Sequence, residues 1–433
     1  MTQVFFDQAV AGSGKTYRLQ QALTPLLEAG HPVTFVSFTN ATVDDVAKGF
    51  QHENLTITTY HKFFLRDLQR NAELFGYQAP LAVIESFEEV PALKEAMVTA
   101  LEQVNRPLPE RQRMSLDRFS NLRMKVSEPF RTERDTLRLL NPIVDRLLAL
   151  PWEIETEREC RQWPTAALSV APLRRSVILV SEIVEKWFHA STRFPDLIPR
   201  VPFLAIDEVQ DLSPEEFRLF KRYLEKADQV WLAGDPAQVI YGQMRGSSPE
   251  RLKQFVLESR AEVSKSLASR RCSQAVIHSA NQVLALMSDS FDRMRWMEGN
   301  ATGSVTLKTD FHSAEDEARW ISETIARENL DPNQTSILTR FRVHGDVDFY
   351  KRFNPHCEVD TMHSAKGKEW QNVFLANYND TIPDNDEEKR LLYVGLTRSK
   401  NRLWLTCPRA IAVRGKVKNT RPHSYFKPLQ NIN

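Results

Sequence analysis

Residues 4–19 read VFFDQAVAGSGKTYRL, and no other stretch limits the possible folds so sharply. An apolar run, a turn carrying Gly12 and Gly14, and the helical pattern TYRLQQALTPLLEAG follow one another. That is strand, loop and helix start, with Gly30 as the helix stop. The two glycines let backbone N–H groups curl around phosphate oxygens, aided by the helix N-terminus. Ser13 lies between them, Lys15 reaches toward β- and γ-phosphates, and the Thr16 hydroxyl suits Mg²⁺. Ala9 stands where the phosphate-loop consensus has its first glycine. The structural alternative is a glycine-rich turn beside an incidental lysine, but the strand–loop–helix context is the one this motif requires.

A second segment narrows the chemistry. VPFLAIDEVQDLSPEEF is an apolar strand ending in Asp207 and Glu208, then a helix start at Ser213-Pro214 with Glu215 and Glu216 in its first turn. An aspartate at such a strand end can hold Mg²⁺, and the neighbouring glutamate can polarise an attacking water. Two buried acids with no cation would be costly to ionise, which disfavours a purely structural role.

Length adds that 433 residues exceed one usual core, so two or three domains are expected. A net charge of +1, with 42% hydrophobic and 26% charged residues, fits a soluble globular protein; any nucleic-acid contact needs a local basic surface. Cys160, Cys272, Cys357 and Cys407 lie at no metal-ligand spacing and read as unrelated reduced thiols. No apolar stretch approaches the roughly 20 residues of a membrane span, and with neither the basic start nor the cleavage site of a signal peptide at residues 1–20 no such leader is expected. A cytoplasmic protein without membrane contact is expected.

With DEVQD the chain begins to resemble a superfamily 1 helicase of the UvrD/Rep/PcrA kind. VTFVSFTNATVDDVA resembles motif Ia, TITTYHKFF the TxHxF segment, VWLAGDPAQVIYGQMRG motif III and SLASRRCSQAVIHSANQVL motif IV. VDTMHSAKGKEWQNVFL resembles motif V, and EEKRLLYVGLTRSKNRLWLT motif VI. The resemblance implies an α/β chain of two RecA-like parallel-sheet domains with a helical insertion in the first. Residues 1–70 with 197–262 would form domain 1A, 71–196 the insertion 1B, and 263–433 domain 2A. Short apolar runs alternating with helical patterns agree independently.

In that family pattern Gly12, Ser13, Gly14, Lys15 and Thr16 hold the ATP phosphates, and Thr16 with Asp207 holds Mg²⁺. Glu208 is the water-activating base, and Gln238 senses the γ-phosphate. Arg271 and Arg398 reach the same phosphate from the second domain, and Glu369 bonds the ribose. A glutamine-bearing segment reads adenine in the family, and none is expected ahead of the loop here. The family's arginine and tyrosine flanking the adenine are exchanged for Tyr17 and Arg270. Both can still stack on a purine, so ATP binding with weaker discrimination against GTP is expected.

For the nucleic-acid track the resemblance points to Phe38, Thr39, Asn40, Thr59, His61, Tyr241, Arg245 and His363. A hydroxyl or amide at a loop end can equally cap a helix. GQM, with one extra residue, replaces the tryptophan usual before the arginine-glycine of motif III. Residues 105–138 are arginine-rich with interleaved aromatics and suit either phosphates or a solvated face. Between TSILTR and EVDTMHSAKG there is room only for a loop and a short helix, so the family's 2B insertion is absent. The basic run RGKVKNTRPHSYFK reads as a flexible tail or a partner contact. The function expected is an ATP-driven, monomeric 3′–5′ helicase on single-stranded and tailed duplex DNA, with RNA left open as a track. Two alternatives are an ATPase that remodels protein–DNA complexes without unwinding, and a non-catalytic single-strand binder.

Overall fold

The computed structural model describes residues 2–75, 81–84, 91–106, 113, 177–341, 346–413 and 416–429. Two parallel sheets organise them. The first runs, in spatial order, Leu55–Thr59, Val33–Ser37, Phe203–Ile206, Gln229–Gly234, Gln3–Ala9 and Glu262–Ser266. The second runs Ser304–Phe311, Ser399–Pro408, Trp370–Leu375, Thr335–Thr339 and Glu358–Thr361. The α/β architecture with two parallel-sheet lobes is therefore as expected.

The inner strands Val33–Ser37, Phe203–Ile206 and Trp370–Leu375 are largely apolar and buried because both of their faces are covered, whereas the edge strand Glu262–Ser266 is mostly exposed. Successive residues point to opposite faces. In the first lobe Val36, Leu204, Ile206, Val230 and Leu232 join Tyr60, Phe63, Trp187 and Phe220. Phe35, Ala205 and Ala233 instead meet Leu19, Leu23 and Leu27, one stripe of the helix Lys15–Glu28. In the second lobe Leu338, Val373, Leu375 and Leu403 face one way, and Ile337, Phe374 and Trp404 the other. The cluster on the first of these faces also takes in Val10, Ala11, Ala237 and Ile240 of the first lobe, so the lobes share apolar contact.

Four expectations change at the margins. The strand Glu262–Ser266 belongs to the first sheet although it runs past residue 262. Helix Val180–Arg193, inside the expected insertion, packs on the first lobe: Trp187 is fully buried and its indole N–H donates to the Tyr223 hydroxyl at 2.9 Å. What is described between 71 and 196 is not purely helical. Helix Pro91–Asn105 is accompanied by a parallel pair, Ala82–Ile84 with Val177–Leu179. Residues 114–176 of the expected helical insertion, and with them nearly all of the arginine-rich stretch 105–138, lie outside the described residues. The short helix expected before motif V is Asp346–Phe353. The basic C-terminal run pairs Ala410–Val413 with Lys416–Asn419 and then docks, with Tyr425, Phe426 and Leu429 buried. That corrects the flexible-tail alternative. Among the described residues no helix is long and apolar enough to cross a membrane.

Candidate active site and nucleic-acid interface

The candidate site lies beyond the C-terminal ends of the first sheet's strands Gln3–Ala9, Phe203–Ile206 and Gln229–Gly234, the usual ligand position in open α/β sheets, and the second lobe reaches it with Arg398, which immediately precedes the strand Ser399–Pro408. Gly12 and Gly14 have φ of 70° and 83°, the left-handed region that glycine enters without a Cβ penalty. Gly14 precedes the helix Lys15–Glu28, which has no side-chain cap and no acid in its first turn. Helices starting at Asn40, Pro214, Pro249, Ala314 and Asp386 are capped by Thr39, Ser213, Ser248, Ser313 and Asn385. The uncapped N–H groups after Gly14 thus remain for an anion.

One cavity of about 380 Å³ is lined by Gly12, Ser13, Gly14, Lys15, Thr16, Tyr17, Glu208 and Gln238 from the first lobe, and by Arg271, Gly367 and Arg398 from the second. Thr16 Oγ1 donates to Asp207 Oδ2 at 2.6 Å, and Lys15 Nζ lies 2.7 Å from Glu208 Oε1. Glu208 holds φ 56°, an uncommon conformation for a side-chain-bearing residue that marks a constrained site. Burial, then the neighbouring Glu208, pushes the Asp207 pKa up. Burial also pushes Glu208 up, but Lys15 and then Lys366 outweigh it and hold Glu208 low. Asp207 is consequently a buried carboxylate short of positive charge. Its oxygen beside that of Thr16 suits Mg²⁺, a hard cation that takes one or two protein oxygens and fills its shell with phosphates and water. No denser cluster of metal-binding side chains occurs among the described residues.

The second lobe closes the cavity. The Arg398 side chain donates to Val394 O at 3.0 Å, Lys368 O at 3.2 Å and Gln238 Oε1 at 3.4 Å. Burial and the nearby Arg271 lower the Arg398 pKa to about 10, which leaves it charged at neutral pH. Gln238 in turn donates to Asp235 at 2.8 Å. Arg271 lines the cavity and ion-pairs with Glu369, whose other oxygen lies 2.7 Å from Lys400 Nζ. Glu369 is therefore engaged by two cations and is not among the cavity-lining residues. Tyr17 is 56% exposed at the cavity mouth. Arg270 is exposed and outside the lining, though its backbone N–H donates to Gly12 O at 2.8 Å.

Several track candidates come together across the lobes. The ring of Phe38 lies 5.3 Å from that of Tyr241, and Tyr241 lies 6.1 Å from His363. Arg245 stacks over Phe38 at 4.7 Å, but its guanidinium is already bonded to both oxygens of buried Glu216 at 2.6 and 2.7 Å. Burial lowers the pKa of His61, and lowers His363 to about 4, so both rings are neutral at pH 7. Thr39 and Thr59 cap the helices Asn40–Gly49 and Tyr60–Arg70, and Asn40 is exposed.

Some contacts were not foreseen. Lys366 donates to Asp211 at 2.6 Å and to Gln238 O at 3.0 Å. Arg390 donates to Val239 O at 2.7 Å, and the Tyr393 hydroxyl donates to Asp235 at 3.3 Å. All lie inside the motif strings, so the signal was present without a role attached. Arg18, one place after Tyr17, ion-pairs with Asp7 at 2.7 Å and bonds the Ser13 carbonyl, bracing the phosphate loop.

The UvrD/REP helicase N-terminal domain matches residues 3–259. The chain belongs to the UvrD-like helicases. The UvrD-like helicase C-terminal domain matches residues 345–409. Among curated relatives, this UvrD-like chain is 24% identical over 342 residues to DNA helicase II of Haemophilus influenzae, covering 73% of itself and 43% of the relative. It is 22% identical over 399 residues to the ATP-dependent DNA helicase PcrA of Staphylococcus epidermidis, covering 86% and 52%. The chain spans about half the length of the curated relatives it matches.

Proposed function

We propose that this chain is an ATP-dependent DNA helicase that translocates on single-stranded DNA in the 3′–5′ direction as a monomer. The observation that carries the reading is that Arg271 and Arg398 of the second lobe line the same cavity as Lys15 and Thr16 of the first. Hydrolysis would then depend on the relative position of the lobes. Residues 1–70 with 197–262 are read as domain 1A, extended to the strand end at Ser266, with 1B between and 2A after.

The residues supply each part of the chemistry. N–H groups of the Gly12–Thr16 loop bind phosphate oxygens, and Lys15 moves from Glu208 to the β- and γ-phosphates. Thr16 and Asp207 would hold Mg²⁺, which neutralises phosphate charge when bound. Glu208, freed of Lys15, accepts a proton from the water whose oxygen attacks the γ-phosphorus, while the bond to the β,γ-bridging oxygen breaks. Arg271 and Arg398 offset charge on the transferring group, an effect worth about 10³–10⁵ in rate. Gln238, touching Arg398 and preceding Tyr241, passes the nucleotide state toward Phe38, Tyr241 and His363, where bases stack. Tyr17 and Arg270 flank the base and read its flat face, which favours ATP with weak rejection of GTP.

The test is ATP hydrolysis with and without single-stranded DNA, together with unwinding of 3′-tailed against 5′-tailed duplexes. Glu208→Gln is the inactive control. Hydrolysis that DNA does not stimulate, or that survives Glu208→Gln, overturns the reading; unwinding only from 5′ tails overturns the polarity.

A further inference from the structure

The helix Asp386–Leu396 of the second lobe lies against the first-lobe segment 235–243 along its length. Its Glu387 accepts the backbone N–H of Gln243 with both carboxylate oxygens, at 3.2 Å each. Arg390 Nε donates to Val239 O at 2.7 Å. Tyr393 meets Asp235, and just past the helix Arg398 meets Gln238. Positions 387, 390 and 393 recur at three-residue spacing, so neighbouring turns on one side of one rigid rod make these contacts. At about 1.5 Å per residue, the rod carries the distance from the nucleotide cavity to the aromatic cluster.

We infer that Glu387 is a positioning residue that clasps the turn Gly242–Arg245 to the second lobe, so that movement at Arg398 is delivered to Tyr241 and its neighbours. The geometry is specific: Gly242 leaves room for the carboxylate, since a Cβ there would lie 3.1 Å from Glu387 Oε2. The clasped turn is also the place where this chain carries GQM in motif III. Two routes therefore lead from the nucleotide to the track. One is Gln238 within the first lobe; the other passes through the second-lobe helix and ends at Glu387. The inference rests on the translocase reading, because it requires a track whose grip responds to nucleotide.

The experiment measures the Kd of the full chain for a dye-labelled oligo-dT, with and without a non-hydrolysable ATP analogue, and the Kd of the analogue alone. In wild type the ratio of the two oligonucleotide Kd values is the coupling factor. Glu387→Ala is expected to cut that factor about tenfold, inside the usual span of coupling between sites, with the analogue's own Kd changed by less than about twofold. Glu387→Gln keeps an acceptor and should retain most of it. Gly242→Ala, whose Cβ would crowd the carboxylate by a few tenths of an ångström, should lower the factor by no more than Glu387→Ala does, and the double variant no further. A coupling factor unchanged in both alanine variants overturns the clasp and leaves the translocase reading standing. A wild type that shows no coupling, or does not bind the oligonucleotide, overturns the translocase reading and the clasp with it.

Discussion

Lys366 and Asp211 stand 155 residues apart in the chain, yet their side chains meet at 2.6 Å across the cleft, 5% and 0% exposed. The same ammonium bonds the Gln238 carbonyl and lies 5.3 Å over the Tyr241 ring. One cation thereby ties the acidic motif, the Gln238 loop and the aromatic cluster together. Asp211 is strained electrostatically: burial lifts its pKa to about 6 although Lys366 opposes the shift.

Removing one partner of that pair leaves a buried charge without compensation. Lys366→Met is expected to lower the unfolding free energy by about 3 kcal/mol. The double substitution Lys366→Met with Asp211→Leu should recover most of the loss. Urea unfolding of the single and double variants measures the coupling, and strictly additive effects would contradict the pairing.

His363 carries a pH dependence of definite sign. Its pKa is about 4 in the folded chain against 6.5 unperturbed, chiefly from burial and then the Arg340 charge, with Lys366 acting in the same direction. The unfolded chain therefore binds more protons between these values, and stability rises with pH there. The contribution is fully present above pH 6.5 and is lost as pH falls through 4. It amounts to about 3 kcal/mol at most, at about 1.4 kcal/mol per pKa unit. His363→Asn should flatten the difference in unfolding free energy between pH 6.5 and pH 4 relative to wild type.

Gly12 and Gly30 share a positive φ but differ in surroundings. A Cβ at Gly12 would lie 2.5 Å from Arg271 Cβ and 2.8 Å from Ser269 Oγ, whereas nothing approaches Gly30 within 4 Å. Gly30→Ala should cost about 1 kcal/mol of stability from its left-handed backbone and leave hydrolysis intact. Gly12→Ala should push the lobes apart at the loop and cut ATP hydrolysis by about 10²-fold. Equal rates for the two variants would refute the distinction.

Tyr17 tests the base-binding proposal. Loss of one stacked aromatic face is worth about 1–3 kcal/mol per base, so Tyr17→Ala should raise the KM for ATP about tenfold and that for GTP alike. An unchanged KM, or strict ATP selectivity in wild type, would remove Tyr17 and Arg270 from base recognition.

The loop of Gly12, Gly14, Lys15 and Thr16, the Asp207–Glu208 pair and the alternating apolar runs were legible in the chain alone. Each depends on neighbours in sequence: a glycine's backbone freedom, a strand's hydrophobic run, an acid one residue past a strand end. Even the second-lobe arginines could be named, because they stand inside recurring strings. What the strings do not contain is who meets whom. Glu369 pairs with Arg271 and Lys400, Arg245 is taken by Glu216, Lys366 finds Asp211, and Glu387 finds the Gln243 amide. Those partnerships are decided only by packing. A charged side chain takes the nearest group that repays its desolvation, and which group is nearest follows from how two separately wound sheets bring distant segments to one cleft.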